Sequence, residues 1–211
     1  FLSIVYSVTY YDISHTGVIS DSSLTEALQE SLLFSSICIY VYIVKRHYAK
    51  GLILVAGFLI CMLIREWDVV FDNLLFHGAW KYLAVPSAIL SCYIALRNGK
   101  DKIIYDLACF MQKKAYNILL LGITVVLVIS RILGMRILLV LFSNISFNQG
   151  LKNFLEEGSE LFGYLIIFYA LVSLRRNPGI SDVFYINSRL TLLDTSHHHP
   201  PLQQYHRDVL F

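Results

Sequence analysis

Charge is what this sequence has least of. Only 15% of its 211 residues are Asp, Glu, Lys or Arg, against about a quarter in a soluble domain, and they gather in short clusters between uncharged stretches. Proline is rare, with four in the chain, so few positions force a helix to break. The four cysteines form no CxxC pair. Cys38, Cys61 and Cys92 fall inside apolar runs and Cys109 sits between basic clusters, which fits packing rather than a disulfide framework or thiol chemistry. The net charge of +2 makes no case for nucleic acid, which draws on dense basic patches. Disorder is excluded as well, since it needs low hydrophobicity and high net charge. No HExxH pair, no GxSG around a serine and no glycine-rich phosphate loop occurs, so no motif dictates a chemistry.

What is present is apolar sequence, 56% of the chain, in runs too long for a soluble α/β enzyme or an all-β domain. A helix needs about 20 mostly apolar residues to cross a hydrocarbon core of roughly 30 Å. Five stretches qualify: Leu28 to Val44, Gly51 to Ile64, Trp80 to Leu96, Ala115 to Ile129 with an extension past Arg131 and Arg136 to Phe142, and Leu161 to Leu174. The second and fifth are short, so their polar flanks must snorkel or enter the bilayer. The expected fold class is therefore an all-α membrane protein, a bundle of about five transmembrane helices.

Orientation follows from the basic residues in short loops. Lys45, Arg46 and Lys50 follow the first run; Arg97, Lys100, Lys102, Lys113 and Lys114 follow the third; Arg175 and Arg176 follow the fifth. With Arg189 and Arg207 in the tail, 12 of the 17 basic residues lie on one side. Arg65, Lys81, Arg131, Arg136 and Lys152 lie on the other. This asymmetry predicts an N-terminus outside and a cytoplasmic C-terminus, in a protein integral to the inner (plasma) membrane of a bacterium.

Three regions are expected. Residues 1–24 read as an extracytoplasmic segment. Phe1 to Tyr11 is apolar but short, lacks a basic n-region and is not preceded by Met, so the end of an upstream span is the alternative. Residues 25–176 hold the five-helix domain. Residues 177–211, with Pro178-Gly179, His197-His198-His199 and Pro200-Pro201, read as a weakly structured cytoplasmic tail whose histidines hold no defined metal geometry. Between the basic clusters, Ile103, Ile104, Leu107, Phe110 and Met111 recur at helical spacing, as in an amphipathic surface helix; an ordinary loop is the equal alternative.

The polar residues inside the runs share a depth. Glu30, Arg65 and Glu160 lie 15 residues from Lys45, Lys50 and Arg175, and Arg131 lies 17 from Lys114. All four sit roughly 22–26 Å from the basic boundary, with Tyr82 and Lys81 at the matching level of the third run. Much of this charge suits helix ends, with acids at N-termini and bases at C-termini. Ser23-Leu24-Thr25-Glu26 matches a capping box, and Asn153 is placed to cap with Glu156. Glu30 and Glu160 lie a turn deeper, where an unpaired carboxylate is costly. Glu66, Asp68 and Asp72 fall at a helix C-terminus, where the dipole disfavours acids, and Asp68 and Asp72 would repel at i,i+4 spacing.

The stretch from Arg65 to Lys81, containing Glu66, Asp68, Asp72 and His77, is thus the expected site. An interfacial hairpin of charges with an anchoring Trp is the plainer alternative. Asp68, Asp72 and His77 are the candidate catalytic residues. Arg65, Arg131, Glu30, Glu160, Glu66 and Lys81 are candidate ligand-binding residues, and Asp68, Asp72, His77 and Glu157 are candidate ligands for a divalent cation, since oxygen-rich sites favour magnesium, calcium or manganese. Arg65 and Arg131 suit a lipid phosphate. The functional expectation is an outward-facing charged cavity that binds a phospholipid headgroup or a cation, in a protein that is either a lipid-processing enzyme or a binding protein. The alternatives are a non-catalytic subunit docked on a membrane-protein partner and a proton-coupled transporter using Glu30 and Glu160. Membrane lipids are the expected partners.

Overall fold

The structure, a computed structural model, describes residues 1–16, 23–47, 50–97, 100–135 and 149–176. Arg136, the histidine triplet and the tail lie outside the described residues. Among those described, every regular element is helical. They are α1 (Leu2–Thr16), α2 (Leu24–His47), α3 (Ile53–Glu66), α4 (Asp68–Leu74), α5 (Trp80–Leu96), α6 (Lys100–Met111), α7 (Lys114–Leu133) and α8 (Gln149–Arg176). All eight fall in one structural unit, Phe1–Arg176.

Three helical stretches are long and apolar enough to cross a membrane: Leu24–Arg46, Lys114–Leu133 and Lys152–Arg176. The last corrects an expectation. Its apolar run looked short, but the helix continues through the polar residues before it and spans 28 residues. Leu, Lys and Glu there are good helix formers, so polarity ends the apolar run without ending the helix. Asn153 consequently lies inside α8 and is not its N-cap. The second and third runs form shorter helices, α3 with 14 residues and α5 with 17, or about 21 and 26 Å of axis.

α8 is the central element, packing against α1, α2 and α7, while α3 joins through α2 and pairs with α5. The α7–α8 crossing is close because glycines meet there. A Cβ on Gly163 would come within 2.5 Å of Val126 Cγ2, and one on Gly122 within 2.7 Å of Ile167 Cγ1. Such small residues let two backbones approach where packing rather than hydrophobicity holds helices together. Around this crossing Leu161, Tyr164, Ile167 and Leu171 are buried. The α3–α5 pair repeats the device: Gly57 lies against Ser91, and Cys61 Sγ lies 3.4 Å from Ser87 Oγ.

The ends are tied by polar side chains. The N-terminal run is a helix, and its buried Asp12 accepts hydrogen bonds from Leu24 N–H (3.2 Å) and Thr25 N–H (2.8 Å) at the start of α2. Ser23 Oγ accepts from Glu26 N–H at 3.2 Å, the expected half of the capping box. The stretch between the basic clusters is a helix as well. α6 buries Ile103, Asp106 and Phe110 and exposes Ile104 and Met111, and Asp106 accepts the Gly51 N–H at 3.1 Å ahead of α3.

Candidate functional site

α7 is α-helical over Lys114–Thr124, widens to a π-helical turn over Val125–Ile129 and closes with Ser130–Leu133. A π turn carries one extra residue and often marks a functional segment. Just beyond it, Ser130 and Arg131 both turn toward α8. Ser130 Oγ donates to Glu160 Oε1 at 3.1 Å, and Arg131 Nη2 reaches the same oxygen at 2.9 Å. Arg131 Nη1 contacts Glu156 Oε1 at 3.1 Å, and Lys152 Nζ lies 3.2 Å from Glu156 Oε2.

Two further helices bring groups to this level. From α2, Gln29 donates its Nε2 to Glu157 Oε2 and to the Glu157 carbonyl, both at 3.1 Å. From α3, Glu66 Oε1 accepts the Tyr164 hydroxyl at 2.8 Å. The start of α2, the end of α3, the end of α7 and the first half of α8 therefore converge. Glu156, Glu160 and Tyr164 form one i, i+4, i+8 stripe of α8, with Glu157 beside it. Gln29 and Glu160 are buried, and Glu66 and Glu157 are half-buried.

The arrangement is rich in acceptors. Glu156 is held by both cations, Arg131 and Lys152. Glu66, Glu157 and Glu160 sense one another's charge, and the described donors reach only one oxygen of each. Arg65 is half-buried beside Glu66 and makes no ion pair with a described residue.

The expected residues separate into two groups. Glu66, Arg131, Glu157 and Glu160 are in the cluster, and the Arg131–Glu160 pair joins two of the positions matched by depth. Glu30 is half-buried without an ion pair among the described residues, because its neighbour Gln29 takes the inward face of α2.

The loop between α3 and α5 is organised differently. Asp68 makes no hydrogen bond or ion pair among the described residues. Asp72 turns back to close a loop: its Oδ1 accepts the Gly78 N–H at 2.8 Å and its Oδ2 lies 2.6 Å from His77 Nδ1. Gly78 has φ +82°, a conformation that favours glycine. The Gly78 N–H, and after it His77, hold the Asp72 carboxyl below the usual carboxylate range. The His77 side chain is 99% exposed, and Lys81 lies over the ring of its neighbour Trp80 at 5.7 Å.

The proposed metal ligands Asp68, Asp72, His77 and Glu157 are not gathered. Among the described residues no three His, Cys, Asp or Glu side chains are grouped to hold a metal ion. The physical reason is that Asp72 and His77 are turned to each other and to the loop backbone, while Glu157 points to Gln29.

Sequence reasoning missed Gln29, Ser130 and Tyr164. The spacing of Glu156, Glu160 and Tyr164 along one helical face was the available signal. No protein-family model, no curated protein and no solved structure matches this chain.

Proposed function

We propose that this protein is a five-span helical protein of a bacterial inner membrane, N-terminus outside and C-terminus cytoplasmic, that binds a cationic polar ligand at its outer end. The ligand class is an amine-bearing phospholipid headgroup. One observation carries the reading: Glu66, Glu157 and Glu160 each keep one carboxylate oxygen that no described donor reaches. An ionised carboxylate offers about four acceptor positions, so what the cluster leaves unfilled is donors and positive charge. Among the described residues the carboxylates form no group of three that would hold a bare metal ion, and an ammonium on a flexible headgroup makes longer, divergent contacts that suit a dispersed set. Arg65 beside Glu66 supplies a guanidinium for the adjoining phosphate.

The topology draws on the same features. α3 and α5, at about 21 and 26 Å, cross as a closely packed pair with snorkelling ends, and the basic residues crowd the opposite end of the bundle from the acids.

The test uses the purified full chain in detergent and a short-chain phosphatidylethanolamine, with its N-acetylated form as the uncharged control. The amine form is expected to bind, and the N-acetylated form at least about tenfold more weakly, the equivalent of one charge-assisted hydrogen bond of about 1.5–3 kcal/mol. Glu66→Gln and Glu160→Gln should each weaken binding of the amine form. Equal binding of the two lipids, or retention of the preference in both variants, overturns the proposal and leaves the subunit reading.

A further inference from the structure

α2 and α8 run side by side in the same direction. Gln29 meets Glu157 near their starts, and Tyr42 meets Arg175 near their ends. Both belong to stretches long and apolar enough to cross a membrane, Leu24–Arg46 and Lys152–Arg176, so the last turns of both lie where the apolar sequence stops. Lys45, Arg46, Arg175 and Arg176 are exposed there, and among the described residues no carboxylate pairs with any of the four.

Two of these cations share one side chain. Arg46 Nη1 donates to the Tyr42 hydroxyl at 3.0 Å, and the Arg175 guanidinium lies over the Tyr42 ring, 5.4 Å from its centre. Side chains on a helix lean toward its N-terminus. Both arginines are therefore drawn back along the bundle to the level of the ring, instead of reaching past the helix ends. Cations at helix C-termini suit the dipole, but that benefit does not require two of them on one neutral tyrosine, where they repel.

Their donors are mostly unspent. A guanidinium carries five N–H donors in a planar fork. Stacking on the ring uses none of those on Arg175, and the Tyr42 hydroxyl takes one of those on Arg46. The ring fixes both forks while leaving their hydrogen-bonding edges open.

We propose that Arg46 and Arg175, positioned by Tyr42, form a phosphate site. An anion between the two forks turns their repulsion into attraction, and phosphate oxygens match the fork in bidentate fashion. A phospholipid headgroup and free phosphate share this chemistry. The site lies at the opposite end of α2 and α8 from the acidic cluster and uses none of its residues.

The experiment measures thermal unfolding and native mass spectra of the full chain in detergent with phosphatidylglycerol, with diacylglycerol of matched chains, and with inorganic phosphate alone. Phosphatidylglycerol is expected to remain bound and to raise Tm more than diacylglycerol. Arg46→Gln with Arg175→Gln should weaken its binding about 100-fold or more, as the loss of two charge-assisted contacts. Lys45→Gln with Arg176→Gln removes the same charge from the same helix ends and should cost less than about tenfold. Tyr42→Leu keeps every charge and should still lose about tenfold, with Tyr42→Phe, which retains the ring under Arg175, between it and the unaltered chain. A rise in Tm with inorganic phosphate that needs Arg46 and Arg175, and to which phosphatidylglycerol adds nothing, assigns the site to the free ion. Equal losses in the two double variants would reduce the effect to diffuse positive charge and overturn the proposal. Undiminished binding by folded Tyr42→Leu overturns it too, as does the absence of any phosphate-dependent effect that requires the two arginines.

Discussion

Arg131 reaches Glu160 at 2.9 Å and fastens the last turn of α7 to α8. The acid is buried, with 6% of its side chain exposed, whereas the arginine is 44% exposed. Removing Arg131 therefore leaves a buried carboxylate with only Ser130 to serve it. Arg131→Met should destabilise the folded protein by about 1–3 kcal/mol. Glu160→Gln in the same chain should recover part of the loss, because the buried group then carries no charge. Denaturation of the two single variants and the double variant in detergent gives the coupling directly, and simple additivity would show that the pair contributes nothing.

Gly163 and Gly122 set the distance at which that pair forms. With Val126 Cγ2 2.5 Å from the place of a Gly163 Cβ, Gly163→Ala overpacks the crossing and should cost about 1–3 kcal/mol. Val126→Ala removes the obstructing methyl groups, so Gly163→Ala combined with Val126→Ala should be more stable than Gly163→Ala alone. Tm values for the three variants decide it.

The depth of these groups is legible in the sequence. Counting from the basic boundaries put Arg131 and Glu160 at one level, and they are paired. Counting does not give rotation about the helix axis, however. Glu30 and Gln29 differ by one residue and about 100°, and the inward position belongs to Gln29. The π turn ahead of Ser130 is equally hidden, because Val125–Ile129 is an unremarkable apolar run. The length of α8 was obscured for a related reason: hydropathy marks where a helix meets apolar surroundings, not where its hydrogen bonding stops. Asp72 and His77 were noticed because acids at a helix end are unfavourable, and the structure explains their presence by the loop they close.

That loop has a pH dependence of defined sign. The folded Asp72 carboxyl is held below the usual carboxylate range, chiefly by the Gly78 N–H. A group lowered on folding contributes order that is fully present above its ordinary value, about 4, and is lost as pH falls through the lower folded value. Protection of the Gly78 amide in hydrogen exchange should therefore be flat above about pH 4 and fall below it. Asp72→Asn should remove the dependence. His77→Ala should leave most of it, since the backbone bond is the larger cause. A midpoint that moves with His77→Ala more than with loss of the Gly78 bond would contradict this ordering.

The proposed orientation predicts a labelling pattern. In a chain with the four native cysteines replaced by serine, Leu75→Cys falls in the loop before α5 and Gln112→Cys at the α6–α7 corner, and both positions are exposed. An impermeant thiol reagent added outside intact cells should modify the first and not the second. The opposite pattern inverts the orientation, and labelling of both places the two loops on the same side.

Two sets of acids are candidates for the proposed ligand, and they are separable by mutation. Glu66, Glu157 and Glu160 each keep one acceptor oxygen within the helix bundle that no described donor reaches. Asp72 has given its acceptors to the Gly78 N–H and His77, and Asp68 stands apart at the start of α4. A cation approaching the loop competes with bulk water at high dielectric, whereas one entering the cluster meets partly desolvated carboxylates, where each charge interaction is stronger. Asp68→Asn, Asp72→Asn and His77→Ala should consequently change binding of the short-chain phosphatidylethanolamine by less than about threefold, within the spread of surface substitutions. Glu157→Gln should weaken it by about tenfold or more. Gln29→Leu takes away the donor that orients Glu157 while leaving its charge, and it should fall between these limits. Titrations of the five variants against the same lipid rank the sites. If the loop variants lose binding and Glu157→Gln keeps it, the ligand belongs to the Asp68–His77 stretch and the cluster is a structural tie between α2, α3, α7 and α8.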